Sequence, residues 1–230
     1  MMLAFAYKLP KMREYQAKSE WDPKSYEIFA ATPLRGQTLG IVGYGNIGRE
    51  LARLADALGM NVLAVKRDVM HPADDDSYRE PGTGDPEGEI PLRLYPPEAV
   101  GSMAKECDFL VIITPLTDAT YHMINASVLR NMKKTAVLIN IARGAVIDEA
   151  ALIEALSSKR IAGAALDVFE QEPLPPESPL WKLENVIISP HVSGSSINYH
   201  ERAAALFKEN IQRYLDDQPL LNRVHREHGY

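Results

Sequence analysis

The sequence has one cysteine, Cys107, in 230 residues, so no disulfide bond can form within the chain. This scarcity fits a reducing compartment better than an oxidising one. The longest apolar opening, residues 1–7, is too short to span a bilayer. It also lacks a basic leader and a small-residue cleavage site, so no signal peptide is expected. We therefore expect a soluble, cytoplasmic protein.

An excess of positive charge is also absent. Asp and Glu number 31 against 25 Lys and Arg, which gives a formal net charge of -6 at pH 7. A chain of this sign has no general electrostatic attraction for nucleic acid or for an anionic membrane, so neither is expected as a partner. The hydrophobic fraction, 46%, is that of a globular protein with a sizeable core.

Short, continuously apolar segments alternate with helix-spaced segments through most of the chain. The predicted strands are 38–42, 61–65, 109–113, 136–140, 163–166 and 186–188. The predicted helices are 47–58, 98–106, 125–131, 149–158 and 196–216. Apolar strands that alternate with helices in this way predict an open, doubly wound α/β sheet of parallel strands.

Two segments depart from this alternation. Residues 3–21 have apolar residues among charged ones, which predicts an amphipathic helix bent by Pro10. Residues 68–97 are rich in Pro, Gly and Asp without an apolar period, which predicts a long surface loop. Its three adjacent aspartates, 74–76, diverge in direction and have no His or Cys at ligand spacing, so no metal site is expected.

A glycine cluster, G-x-G-x-x-G, lies between the first long strand and the helix that follows. Gly43 permits a tight turn, Gly45 lets the backbone approach a pyrophosphate, and Gly48 lets the helix press on the strand. With Asn46 and Ile47 at the helix start, free amides at the positive helix end would bind the phosphates. The alternative is a glycine-rich turn without a ligand, but the strand-to-helix context favours a dinucleotide site.

The end of the second strand distinguishes NAD from NADP. A site specific for NAD places an acidic residue there to bind the ribose hydroxyls. Here Lys66 and Arg67 follow the strand, and Asp68 comes two positions late. Two cations suit a 2′-phosphate, so the sequence favours NADP over NAD. The alternative is that both cations project into solvent beside the acidic loop.

Three motifs in the second half carry a more specific signal: I-N-I-A-R-G at 139–144, A-A-L-D-V-F-E-Q-E-P at 164–173 and S-P-H-V-S-G at 189–194. Together with Pro115, Leu116, Thr117 and Thr120, and in this order, they resemble the D-isomer-specific 2-hydroxyacid dehydrogenase family. The resemblance runs from about residue 3 to residue 221. It implies an NAD(P)-dependent oxidoreductase that transfers hydride between a nicotinamide and a small D-2-hydroxy or 2-oxo acid.

By this resemblance, Arg143 binds the substrate carboxylate, His191 is the acid/base, and Glu172 is the partner of His191. Asp167 matches the aspartate that holds the nicotinamide carboxamide. The further candidates for the cofactor pocket are Thr114, Pro115, Thr120, Ile141, Ala142 and Gly194. The remaining histidines match no catalytic position: His71, His122, His200, His225 and His228.

The resemblance also explains the residue types. Reduction of a carbonyl by hydride leaves negative charge on its oxygen, to which a protonated histidine can donate. A neighbouring carboxylate favours the imidazolium and fixes its tautomer. A guanidinium offers a planar fork to a carboxylate. Singly, each residue could be an ordinary surface group; together, at the carboxyl ends of predicted parallel strands, they predict an active site.

Family members normally begin with a substrate-domain segment that has no counterpart in this sequence. The resemblance therefore divides the chain into an interdomain-type helix (1–21), a dinucleotide-binding domain (22–195, with 68–97 inserted) and a C-terminal helix directed towards the missing segment (196–230). A fragment, a mis-started reading frame and a cofactor-binding protein of poor activity all fit. Relatives pair through their cofactor domains, so a homodimer is expected. The competing hypothesis is a non-enzymatic module, either a truncated pseudoenzyme or a corepressor-like sensor.

Overall fold

A computed structural model describes residues 1–74 and 78–224. Its strands are β1 (Thr38–Val42), β2 (Asn61–Val65), β3 (Arg93–Tyr95), β4 (Phe109–Ile112), β5 (Val137–Asn140), β6 (Gly163–Leu166) and β7 (Val186–Ile188). They form one seven-stranded sheet in the order β3-β2-β1-β4-β5-β6-β7, and each neighbouring pair is parallel. The predicted doubly wound parallel sheet is thus confirmed.

The helices are α1 (Met2–Ala6), α2 (Leu9–Ala17), α3 (Ser25–Ile28), α4 (Asn46–Ala57), α5 (Val100–Ala104), α6 (Ala126–Asn131), α7 (Glu149–Ser157) and α8 (Tyr199–Leu215). Short 3-10 turns lie at Pro97–Ala99, Gly144–Val146 and Pro179–Lys182. Two helices begin with side-chain caps: Asn125 accepts from the amides of Ser127 and Val128, and Asp148 accepts from Ala151.

The core forms two layers, one on each face of the sheet. Successive strand side chains point to opposite faces, so Leu110 and Ile112 of β4 pack with α5, α6 and α7. Phe109 and Val111 of the same strand pack on the other face with α1 and α4. Both faces are covered, which explains why the strands are apolar throughout.

The single bent helix predicted for residues 3–21 is wrong, because the segment forms two helices. Pro10 has no N–H to donate, and its ring would clash with the carbonyl of Ala6 in a continuous helix. The chain accordingly ends α1 at Ala6, turns through Lys8 at φ 52° and restarts with Pro10 in the first turn of α2.

The prediction of a surface loop for residues 68–97 is only partly right. Its end forms β3, which pairs with β2 from Leu63–Arg93 to Val65–Tyr95. Three residues are too few to show a period in the sequence. Within the loop, Asp85 is buried and accepts a 2.5 Å hydrogen bond from the hydroxyl of Tyr44 in the glycine loop. The insertion is therefore attached to the core rather than lying free on it.

Of the three adjacent aspartates, Asp74 is described, and Asp75 and Asp76 lie outside the described residues. Among the residues that are described, no group of three or more His, Cys, Asp or Glu is arranged to hold a metal ion. Nor does any helix in that part of the chain have the length and apolarity needed to cross a bilayer.

Apolar side chains are exposed on the first and last helices. On α1 and beside it, Leu3 and Tyr7 are about half exposed. On α8, which has no buried residue, Phe207 is 68% and Tyr214 76% exposed.

Candidate active site

The candidate site lies along one edge of the sheet, where the parallel strands all end at their carboxyl termini. The glycine loop follows β1, at the point where the strand order reverses between β1 and β4. Gly43 has φ 110°, and a Cβ there would lie 2.8 Å from the carbonyl oxygen of Ile113. A Cβ on Gly48 would lie 2.3 Å from the carbonyl oxygen of Gly43. Both positions need glycine for close packing.

Gly45 differs from the other two glycines, because a Cβ there would meet nothing within 4 Å. The open space lies at the start of α4, whose first turn has no side-chain cap. Ile47 in that turn is 64% exposed, and Asn46 Oδ1 is buried without a partner among the described residues. Free amides beside an open glycine face fit the phosphates of a dinucleotide.

The end of β2 carries the two cations named from the sequence. Lys66 is half-buried and donates from Nζ to the carbonyl oxygens of Asp68 and His71. Burial and the positive charge of Arg49 lower the pKa of Lys66. The Asp68 carboxylate accepts from its own turn, including His71 Nδ1 at 2.6 Å. Arg67 is exposed at the same edge.

The loop after β4 carries Thr114, Pro115 and Thr120. Thr114 abuts the glycine loop, since a Cβ on Gly43 would lie 2.9 Å from its amide nitrogen. The Thr120 hydroxyl donates to the carbonyl oxygen of Pro115 at 2.7 Å and accepts from the amide of Thr117 at 2.8 Å. Thr120 therefore shapes this loop by closing its turn.

Arg143 is exposed three residues beyond β5, on a turn held by Asn140. The Asn140 side chain is buried, donates to the carbonyl oxygen of Arg143 at 3.0 Å and accepts from the amide of Ala142 at 3.0 Å. Ala142 is buried and Ile141 half-buried beneath this turn. The sequence motif contains Asn140, but its part in shaping the turn was not anticipated.

Glu172 and His191 are hydrogen-bonded to each other across the loops after β6 and β7. His191 Nδ1 lies 2.8 Å from Glu172 Oε2, and the other carboxylate oxygen accepts from the amide of Phe169 at 3.0 Å. The hydrogen bond to His191, the amide of Phe169 and the charge of Arg143 together lower the pKa of Glu172 against the effect of burial. With Nδ1 turned to the carboxylate, Nε2 is left for a substrate.

Asp167 is buried at the base of the same loops, and the 189–193 turn donates to both of its carboxylate oxygens. The donors are the hydroxyls of Ser189 at 2.5 Å and Ser193 at 2.7 Å and the amides of Val192 and Ser193, both at 3.0 Å. Burial alone would raise the pKa of Asp167, but these four hydrogen bonds outweigh it and lower the pKa to about 2.

The amide of His191 also donates to the carbonyl oxygen of Asp167 at 2.8 Å, and His191 has φ 54°. Asp167 thus holds the turn that presents His191. Sequence reasoning missed this use of Ser189 and Ser193, although both lie in the motif around His191. Gly194 lies just beyond, exposed and with open space about its Cα.

The structure thus brings Arg143, Glu172 and His191 to neighbouring strand ends, with the glycine loop and Lys66 further along the same edge. His71 and His200 lie away from this group, His71 in the insertion and His200 on α8. His225 and His228 lie outside the described residues. His122 lies close to the group, and its Nε2 is 2.8 Å from Oε1 of Glu170.

The chain is similar to known proteins in both sequence and structure. Residues 1–193 match the family model described as D-isomer specific 2-hydroxyacid dehydrogenase, NAD binding domain. A glyoxylate reductase of Korarchaeum cryptofilum is 40% identical over 219 residues, which cover 94% of this chain and 59% of that protein. A glyoxylate reductase of Thermococcus onnurineus is 36% identical, over 99% of this chain and 64% of that protein. The chain therefore spans about three fifths of the length of these relatives.

Among solved structures, a D-isomer specific 2-hydroxyacid dehydrogenase from Xanthobacter autotrophicus in complex with NADPH and MES has a TM-score of 0.79 and 32% identity. The match covers 100% of this chain and 85% of that one. An NADPH-dependent glyoxylate/hydroxypyruvate reductase from Sinorhizobium meliloti has a TM-score of 0.79 and 29% identity, over 100% of this chain and 66% of that one. The chain therefore belongs to the D-isomer specific 2-hydroxyacid dehydrogenase family.

Proposed function

We propose that the protein reduces a small 2-oxo acid of the glyoxylate or hydroxypyruvate type to its D-2-hydroxy acid, with NADPH as the reductant. The observation that carries the proposal is the Glu172–His191 pair at 2.8 Å, which lies close enough to Arg143 for the guanidinium to lower the pKa of Glu172. The names of the similar proteins, glyoxylate reductase and glyoxylate/hydroxypyruvate reductase, support the substrate class.

Each catalytic group has a defined task in this reaction. A bound reduced nicotinamide would supply the hydride for the carbonyl carbon. His191, protonated at both nitrogens, donates the Nε2 proton to the carbonyl oxygen as negative charge develops there. Glu172 accepts the Nδ1 hydrogen bond and so stabilises the imidazolium and its orientation. Arg143 binds the substrate carboxylate and polarises the adjacent carbonyl.

The proposed cofactor site runs from Gly45 and the first turn of α4 to the end of β2. Asp68 is the acidic residue nearest to the position used for ribose binding. Its carboxylate is hydrogen-bonded to Met70 and His71 within its own turn. Lys66 and Arg67 leave this end positively charged, which supports NADP over NAD. Solved relatives contain NADPH or NADP.

We also propose a domain organisation, an oligomeric state and a location for the protein. The division into residues 1–21, 22–195 and 196–230 separates an interdomain-type helix, the cofactor domain and a C-terminal helix. A homodimer through the cofactor domains follows from the family resemblance. A reducing, cytoplasmic location fits the single, buried Cys107.

The competing function is a dinucleotide-binding module without catalysis. About two fifths of the length of these relatives lies outside the match with this chain. The non-catalytic module is disfavoured by the hydrogen-bonded pair of Glu172 and His191.

Turnover and binding separate the two functions. We would follow oxidation of NADPH and of NADH with glyoxylate, hydroxypyruvate and longer 2-oxo acids, and measure cofactor binding by calorimetry. We expect turnover with NADPH, lost in H191N without a change in the dissociation constant for NADPH. The matched control is H200N on α8, which should keep full activity. Cofactor binding without turnover of any acid would favour the binding module, and turnover by H191N would remove His191 from its role.

A further inference from the structure

A second cluster of titratable side chains lies beside the catalytic group. His122, on the loop after β4, places Nε2 at 2.8 Å from Glu170 Oε1. Its ring stacks on Tyr121 with centroids 4.0 Å apart and planes at 14°. The amide of His122 donates to the carbonyl oxygen of Ala145 at 2.9 Å. This one residue therefore contacts both the loop that follows β5 and the loop that follows β6.

Glu149, the first residue of α7, completes the cluster. Its amide donates to Glu170 Oε1 at 3.2 Å, and the amide of Glu170 donates to Glu149 Oε2 at 3.1 Å. Burial raises the pKa of Glu149. The hydrogen bond from the amide of Glu170 lowers this pKa, and the negative charge of the Glu170 carboxylate raises it, so that the net shift is upward. Two carboxylates are thus held side by side by each other's amides and by one imidazole.

The backbones of the same two loops are in direct contact. A Cβ on Gly144, the residue after Arg143, would lie 1.8 Å from the carbonyl carbon of Phe169 and 2.0 Å from its oxygen. Glu170 is also two residues before Glu172, whose carboxylate accepts from the amide of Phe169. A shift of the Phe169–Glu170 segment must therefore displace either the turn of Arg143 or the carboxylate that orients His191.

We propose that His122, Glu149 and Glu170 are positioning residues that fasten the Arg143 turn to the Glu172 loop and so fix the distance between the guanidinium and the Glu172–His191 pair. The inference rests on the proposed function, since it concerns how the same three groups are held for catalysis. None of the three residues needs to touch the substrate or the cofactor.

The alternative is an ordinary surface ion pair. The side chains of His122 and Glu170 are about one third exposed, and such pairs contribute little to stability. A positioning role differs in its consequences, because misplacement of catalytic groups by about 1 Å can lower the rate by about 100-fold. The two possibilities are separated by a fall in turnover that is out of proportion to any change in stability.

The variants H122A and E170A would break the fastening, and H122Q would keep an N–H donor for Glu170. E154Q, at an exposed position further along α7, is the matched control. We expect H122A and E170A to lower kcat about 10-fold and to raise KM for the 2-oxo acid, with KM for NADPH and the melting temperature nearly unchanged. H122Q should recover most of the loss, and E154Q should behave as the parent chain.

A double-mutant cycle shows whether the cluster acts through Glu172. H122A added to E172Q should lower kcat/KM by less than about 2-fold, because the carboxylate that the cluster positions is already gone. Equal effects of H122A in the two backgrounds would contradict the proposal.

Hydrogen exchange gives a readout that needs no turnover. The peptide covering residues 167–174 should exchange faster in H122A and E170A than in the parent chain, and E154Q should match the parent. If the parent chain reduces no 2-oxo acid, the proposed function fails, and exchange alone decides whether the loops are fastened by this cluster. Unchanged exchange in H122A and E170A would overturn the inference, whatever the activity.

Discussion

The two ends of the candidate site are built differently. At the catalytic end, after β5, β6 and β7, the polar side chains find their hydrogen-bond partners within the sequence motifs themselves. Asp167, for example, accepts four hydrogen bonds from the 189–193 turn. At the other end, after β1 and β2, the adenosine half of the proposed cofactor would lie; we call this the adenosine end. There the glycine loop is held by a buried cation and by the insertion, which contains no motif. The difference teaches which parts of such a site can be recognised in a sequence.

The buried cation is Arg49, on α4 directly after the last glycine of the loop, and it is 0% exposed. It donates to the carbonyl oxygens of Asp85 and Pro72, both at 2.5 Å, and lies over the ring of Tyr44 at 4.7 Å. Asp74 Oδ2 lies 3.7 Å from its Nε. One guanidinium therefore ties the glycine loop and two parts of the insertion together.

The largest effect is expected from breaking this attachment. R49M removes the cation from a buried site and leaves two carbonyl oxygens and Asp74 without it, so the free energy of unfolding should fall by about 3–5 kcal/mol. Chemical denaturation measures the loss, and proteolysis within residues 78–92 should accelerate.

R53M is the control for R49M. Arg53 pairs with Glu50 on the same helix, but its side chain is 41% exposed, so its loss should lower the free energy of unfolding much less than the loss of Arg49. Equal losses in R49M and R53M would show that the insertion is not held by Arg49.

The next effect tests the catalytic end. E172Q keeps the size of the side chain but removes the charge beside His191, so kcat should fall about 100-fold, which corresponds to about 2.7 kcal/mol in the barrier. The dissociation constant for NADPH should not change. Steady-state kinetics and calorimetry measure the two quantities.

E177Q is the matched control, since Glu177 is exposed a few residues further along the same loop. A loss in E177Q as large as in E172Q would attribute the effect to the loop rather than to the carboxylate of Glu172.

Much of the fold could be predicted because each core strand carries its own signal. β1, β2, β6 and β7 have the bounds expected from their apolar runs. β3 was missed because its three residues, Arg93–Tyr95, contain a single buried side chain, Tyr95. The break at Lys8 was missed for another reason: Pro10 was taken to bend the helix rather than end it.

The same contrast holds for the site. Arg143, Glu172 and His191 could be named because each lies in a motif that resembles one of the family. The groups that hold them were not: Asn140 was read as part of a strand, and His122 was set aside as matching no catalytic position. Arg49 could not be recognised, because its partners, Pro72 and Asp85, are distant in a segment without a period.

A smaller effect is expected at Asp167, with a dependence on pH. Its pKa, about 2, lies below an unfolded value of about 3.9, so the carboxylate stabilises the fold above pH 4, and this contribution is lost as the pH falls towards 2. D167N should therefore lower the free energy of unfolding by about 2 kcal/mol at pH 7, and by less at pH values approaching 2. Urea denaturation across this range measures the difference, with D56N on the exposed face of α4 as control. A gap that stays constant with pH would contradict the role given to the four hydrogen bonds.

The smallest effect returns to the adenosine end and concerns the cofactor. Arg67 is exposed at the end of β2, where a 2′-phosphate would lie, so R67S should weaken NADPH binding about 10-fold, or about 1.4 kcal/mol. Binding of NADH, which has no 2′-phosphate, should be unchanged. Lys66 donates to the carbonyl oxygens of Asp68 and His71, so its replacement would also disturb that loop. K105Q, a change of an exposed cation elsewhere, should leave both affinities alone. An equal loss of affinity for NADPH and NADH in R67S would mean that Arg67 does not bind the 2′-phosphate. The proposed preference for NADP would then be wrong.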